Sequence, residues 1–168
     1  MTNKVAHMLA KSFNDAGAIA VRFNYRGVGM SEGHYDEGNG ETADALAVLE
    51  WTRHEWPGTE LWLGGFSFGG AVAIRAAHSG DVRRLVTVAP AVDRVPVATM
   101  ALPRCPWLIV QGDLDDVVDP RQVERWRAAL PSPPELVVLP GAEHFFHGKL
   151  TELRRVVVEW LRRPHAEA

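Results

Sequence analysis

Cysteine is almost missing from this chain. Cys105 stands alone among 168 residues, which excludes an intrachain disulfide framework and a cysteine-rich zinc site. Positive charge is not in excess either: 18 Lys and Arg against 21 Asp and Glu leave a formal net charge of -3. Such a chain has no basic field with which to hold a phosphate backbone, so nucleic acid is not an expected partner. No apolar run approaches the roughly 18 to 20 residues that a membrane helix needs. The opening residues also lack the charged, apolar and small-residue succession of a signal peptide, so a cytoplasmic protein with no membrane partner is expected. What is present is 46% hydrophobic and 23% charged residues, the balance of a single folded domain over 1–168. A chain of this length buries roughly 70% of the surface it exposes unfolded, enough for a core without disulfide or structural metal.

Local pattern divides the chain into alternating helices and strands. Val5, Met8, Leu9 and Phe13 share one helical face between a capping Asn3 and a stop at Gly17. Ala18 to Phe23 (AIAVRF) reads as a strand, followed by a glycine-rich loop, RGVGMSEG, that extends toward Gly40. Glu41 to Trp56 is helical up to Pro57-Gly58. Leu61 to Gly65 is a strand running into a small-residue helix, Gly69 to Ser79, closed by Gly80, and Leu85 to Val88 is the next strand. Irregular text with Pro96 and Pro103 follows, too short for a cap domain. Trp107 to Gln111 is a strand, Asp119-Pro120 caps and opens a helix, Leu136 to Leu139 is the last strand, and Gly148 to about Arg163 the last helix. Most strands are continuously apolar, which predicts an α/β three-layer sandwich with a mostly parallel sheet covered on both faces.

The most informative stretch is Gly65-Phe66-Ser67-Phe68-Gly69, a G-x-S-x-G sequence between a predicted strand and a predicted helix. At such a turn the serine hydroxyl projects above the sheet, and the amide of Phe68 faces the place where an oxyanion would form, near the positive end of the helix. The competing reading is a serine that merely caps the helix. A hydroxyl is a weak nucleophile and needs an imidazole to take its proton and a carboxylate to orient that imidazole. Two loops downstream leave the carboxyl ends of strands, where doubly wound sheets gather functional residues: Gly112-Asp113-Leu114-Asp115-Asp116 and Gly141-Ala142-Glu143-His144. The order Ser67, Asp, His144 is one of the known chain orders for a serine triad. Asp115 is preferred over Asp113 and Asp116, which otherwise read as a solvated turn. His144 is preferred over His147, which reads as a surface or helix-start residue.

Four ordered stretches, FNYRGVGMSEG (Phe23 to Gly33), GFSFGG (Gly65 to Gly70), GDLDDVV (Gly112 to Val118) and GAEHFF (Gly141 to Phe146), resemble the α/β-hydrolase superfamily, and more narrowly its small cap-less members related to dienelactone hydrolases and short carboxylesterases. The resemblance implies Ser67 as nucleophile, Asp115 as orienter, His144 as base and an entrance-shaping role for the RGVG loop. Dienelactone hydrolases typically use cysteine as nucleophile, so their reaction does not carry over. The resemblance also implies strands before the first helix, one of them lying between AIAVRF and LWLGG, with a following loop that donates a second oxyanion amide. Neither the strand nor the loop is present, so an incomplete N-terminus, from an internal start or a truncated gene, is expected. The two flanking strands must then leave a gap or pair directly. Loss of one oxyanion donor costs about 2.7 to 4 kcal/mol, so weak activity is expected of this chain and competent hydrolysis of an extended one.

Other motifs fail on spacing. A dinucleotide fingerprint in Gly27 to Gly33 would need glycine at Glu32, and His54-Glu55 is followed by Trp56-Pro57, which breaks the helix a zinc site requires. The acid loop lacks the glycine and terminal glutamate of a calcium loop. The tryptophans in helices and strands read as core. The sequence therefore points to hydrolysis of a small ester by Ser67, His144 and Asp115, without metal or organic cofactor, with the Phe68 amide at the oxyanion and Phe66, Phe68, Phe145 and Phe146 beside the center as a small apolar pocket. A peptidase or amidase using the same triad, and a non-catalytic interaction module, are the rivals. A sheet edge left open by a missing strand would favour a homodimer.

Overall fold

A computed structural model describes residues 3–79, 81–95 and 102–165; the predicted stop at Gly80 and the irregular segment around Pro96 lie outside them. The chain opens with α1 (Lys4–Asp15), whose first turn is closed by Asn3, its Oδ1 accepting from the amides of Val5 and Ala6 at 2.9 and 3.0 Å. After α2 (Asn39–Glu55), strands and helices alternate: β1 (Trp62–Phe66), α3 (Phe68–Ser79), β2 (Arg84–Val88), β3 (Trp107–Gly112), α4 (Pro120–Ala128), β4 (Glu135–Leu139) and α5 (Leu150–Arg162). All three pairings are parallel and the strands lie in chain order, β1-β2-β3-β4. The result is a three-layer α/β sandwich.

The apolar strands are buried on both faces because their alternate residues feed two different cores. Leu85 and Ile109 pack with Ile74 and Ala77 of α3 and Val123 of α4. Val86, Val88, Leu108 and Val110 pack with Val5, Leu9 and Phe13 of α1 and Leu153, Val157 and Trp160 of α5. Thr87, the one polar residue at the buried center of β2, is satisfied by the Trp107 indole N–H at 3.0 Å.

AIAVRF departs from expectation. Residues 18–25 form no strand, and no backbone hydrogen bond joins them to β1 among the described residues. Strand structure comes from a ladder with a neighbour, and here the neighbour's place is a cavity of about 740 Å³ bounded by α1, residues 16–25, α2 and β1. Leu61 accepts from the Arg83 amide at 2.8 Å and Ser67 donates to the Val88 carbonyl at 2.9 Å, so the odd-numbered backbone groups along β1 point to β2. Those of Trp62, Gly64 and Phe66 therefore point into the gap. The gap, and not direct pairing of the two flanking segments, is the outcome.

The loop that carries RGVG is nevertheless anchored. Arg26 donates through Nη2 and Nε to the Asp44 carboxylate of α2 at 2.8 and 3.1 Å, and its backbone amide adds a third contact at 2.9 Å. Glu41, 1% exposed, accepts from the amides of Asp36 at 2.9 Å and Gly38 at 2.8 Å, tying the loop to the start of α2. Burial pulls the Glu41 carboxyl upward, but the backbone donors outweigh it and leave its pKa below the usual carboxylate range.

Candidate active site

The turn between β1 and α3 holds Ser67 at φ +53°, a left-handed conformation that costs a non-glycine residue about 1 to 3 kcal/mol. The neighbours are chosen by space. A Cβ on Gly65 would lie 2.1 Å from the Gly69 carbonyl oxygen, and one on Gly70 would lie 3.1 Å from Pro90. Gly69, the final letter of the G-x-S-x-G pattern, has room: its Cβ would first meet the Tyr25 hydroxyl at 3.6 Å. Close strand-to-helix approach thus demands Gly65 and constrains Gly70, and does not demand Gly69.

Three loops at the carboxyl ends of β1, β3 and β4 bring their polar side chains together. His144 Nε2 lies 3.1 Å from Ser67 Oγ, and His144 Nδ1 lies 2.9 and 3.0 Å from the two oxygens of Asp115. A carboxylate only accepts, so Nδ1 carries the proton and Nε2 is left as acceptor for the serine hydroxyl. The His144 and Asp115 side chains are 4% and 0% exposed, which removes water as a competitor for these bonds. Asp113 and Asp116 are exposed. Asp113 instead clamps the two loops together, its Oδ1 accepting from the Gly141 amide at 2.7 Å. His147 faces solvent and pairs with Glu143.

The Asp115 carboxylate is held on both oxygens. Oδ1 accepts from the amides of Val117 at 2.9 Å and Val118 at 2.8 Å, and Oδ2 accepts from Gln111 Nε2 at 2.9 Å. Sequence reasoning passed over Gln111. Its one sequence signal is a carboxamide in the otherwise apolar run WLIVQG, which marks the position as unusual without naming its partner.

Aromatic residues divide by position. The Phe66 ring lies 4.9 Å from the His144 imidazole, and Phe145 lies 5.1 Å from it while half exposed. The Phe68 ring turns toward Tyr25 and Tyr35, at 6.0 and 5.6 Å. Phe146 does not line a pocket; it is fully buried with Val110, Leu139 and Leu153. Phe145 is half exposed and Phe146 is in the core, so the two do not share one surface. The Phe68 amide, first of α3, donates to no protein group among the described residues. Cys105 is far from this chemistry in character: burial pushes its thiol up to about 11.

A serine, imidazole and carboxylate in series on the carboxyl rim of a parallel sheet, with the serine on a strained elbow, are the marks of the α/β-hydrolase superfamily in its serine-hydrolase form without a cap. The model of the family described as serine aminopeptidase, S33, matches residues 2–103, and the chain belongs to that family. An α/β serine hydrolase homologue from Coxiella burnetii is 47% identical, with a TM-score of 0.91 over 96% of this chain and 77% of its own. A serine hydrolase without lid from Xanthomonas campestris is 42% identical, with a TM-score of 0.92 over 99% of this chain and 77% of its own. An uncharacterized protein of Rickettsia prowazekii is 30% identical over 171 residues, covering 96% of this chain and 72% of its own.

Proposed function

We propose that the protein hydrolyses a small ester by acyl transfer through Ser67. The observation that carries this reading is the 3.1 Å contact from His144 Nε2 to Ser67 Oγ, in series with the 2.9 Å contact from Nδ1 to Asp115. His144 removes the hydroxyl proton as Ser67 Oγ bonds to the carbonyl carbon, and Asp115 holds the imidazolium that forms. The Phe68 N–H, at the positive end of α3, donates to the oxyanion. Collapse expels the alcohol, which takes the proton from His144; water then attacks the acyl-serine by the same base, releasing acid and restoring Ser67. Every atom is accounted for by ester and water, so the reaction calls for no metal or organic cofactor.

The apolar rings of Phe66 and Phe145 beside His144 support a small acyl group, in keeping with the resemblance to short carboxylesterases. A second reading, amide or peptide hydrolysis, is favoured by the name of the matched family. Turnover of p-nitrophenyl acetate and butyrate against amino-acid p-nitroanilides separates the two. Fluorophosphonate labelling of the native chain, lost in Ser67→Ala, is expected; a folded sample that neither labels nor turns over either substrate would leave a non-catalytic module as the reading. No helix among the described residues is long and apolar enough to cross a membrane, and a cytoplasmic setting with a small soluble substrate remains part of the proposal.

A further inference from the structure

We propose that Gln111 is a positioning residue for hydrolysis: its side-chain amide fixes the Asp115 carboxylate and, through it, the ring of His144. The proposal rests on the Ser67, His144 and Asp115 reading above.

Gln111 sits at the end of β3, paired with Val138 of β4, and is 1% exposed. Its Nε2 is surrounded by three acceptors: Asp115 Oδ2 at 2.9 Å, the Val118 carbonyl at 3.3 Å and the Gly112 carbonyl at 3.4 Å. Rotating the amide by half a turn would set Oε1 against three oxygens, so the partners determine its orientation. Oε1 itself has no hydrogen-bond partner among the described residues. A buried acceptor left unmatched is unfavourable, and a leucine or methionine would remove that burden while filling the same space. What glutamine supplies and those residues do not is a donor to Asp115.

The division of labour on the carboxylate is specific. Both backbone donors, from Val117 and Val118, take Oδ1. His144 Nδ1 lies 2.9 Å from Oδ2 and 3.0 Å from Oδ1, and among the described residues Gln111 is the one other donor to Oδ2. Without that amide the carboxylate keeps its hold on the loop through Oδ1 but can turn about that pivot, which moves Oδ2 and breaks the two-oxygen seat of Nδ1. Ester binding does not involve this group, so its loss is felt in the chemical step.

The test uses the full chain and p-nitrophenyl acetate. Gln111→Met, which preserves length and packing without the donor, is expected to lower kcat by about 10- to 100-fold while KM stays within about two-fold; a donor of this kind to a charged group is worth roughly 1.5 to 3 kcal/mol. Gln111→Glu, with the same shape and an acceptor in place of the donor, is expected to lower kcat further. Unchanged kcat in a folded Gln111→Met would overturn the proposal, as would a loss confined to KM. A measurement on the native protein guards against variants that do not fold. The chain has two glutamines, Gln111 and Gln122, so selective 15N-glutamine labelling gives two side-chain amide pairs, distinguished by a Gln122 substitution. Phosphonylation of Ser67 is expected to shift the Gln111 pair and leave Gln122 in place. An adduct that forms with no movement of the Gln111 pair overturns the positioning role alone. Failure of native protein to form the adduct removes the Ser67 reading, and with it the reaction that Gln111 would serve.

Discussion

Each polar side chain at the rim of the sheet has a different tolerance for change. On the proposed mechanism the buried Asp115, 2.9 Å from His144 Nδ1, orients the imidazole, so Asp115→Asn, which can offer an amide where Nδ1–H needs an acceptor, is expected to lower kcat by about 10⁴-fold with little change in KM. Asp116→Asn, on the exposed side of the same loop, is expected to stay within about three-fold, and steady-state ester kinetics on both variants checks the contrast. The elbow offers a second contrast. Gly65→Ala drives a methyl to 2.1 Å from a backbone oxygen and is expected to abolish cooperative folding or lower Tm by more than 10 °C, whereas Gly69→Ala meets only ordinary contact distance. Differential scanning calorimetry of the pair measures this. A Gly69→Ala protein as damaged as Gly65→Ala would mean that the elbow is packed differently.

The segment from Tyr25 to the start of α2 is an irregular element, and buried charge holds it in place. Glu41 is tied down by backbone amides, and the guanidinium of Arg26 holds the Asp44 carboxyl below its usual range, opposed by a smaller effect of burial. Both carboxyls titrate lower in the folded chain than in the unfolded one. Their stabilising contribution is therefore fully present above the unfolded value near pH 4 and is lost as pH falls through the depressed folded values. Glu41→Gln is expected to lower Tm by several degrees near pH 7, and the gap to the native protein is expected to narrow below about pH 4. Thermal melts across pH 3 to 8 give the comparison; a gap independent of pH would assign the loss to geometry and not to charge.

At the scale of the molecule, the feature with the largest consequence is the gap beside β1. A strand edge whose backbone groups find no partner among the described residues is a template for pairing with another chain, and Ile19, 66% exposed, and Val21 on the opposite wall leave the gap apolar. We expect association that rises with concentration, at first as dimers. Sedimentation velocity over a hundredfold range of concentration checks it, with Val21→Lys, which sets a charge against the edge, expected to shift the distribution toward monomer. A native chain that stays monomeric throughout would show that α1, α2 and the 18–25 segment shield β1.

Apart from the AIAVRF strand, the main helices and strands and their order were legible because helix periodicity, capping residues and continuous apolar runs are local properties. Asn3 and Asp119 close the first turns of α1 and α4 through side-chain bonds to residues two or three positions away. The sequence also named Ser67, Asp115 and His144, since a strand-to-helix turn and two loops after strands are recognisable one at a time, and parallel topology brings strand ends to one rim. Tertiary structure alone decided the rest. AIAVRF has the composition of a strand, yet a strand exists only where a neighbour completes its ladder, and that neighbour's place is the gap. Gln111 and Phe146 acquire their surroundings from β4, the acid loop and α5, so neither the donor to Asp115 nor the burial of the second phenylalanine could be read from adjacent letters. Local signals determine what a segment can form; contacts between residues distant in sequence determine what it meets.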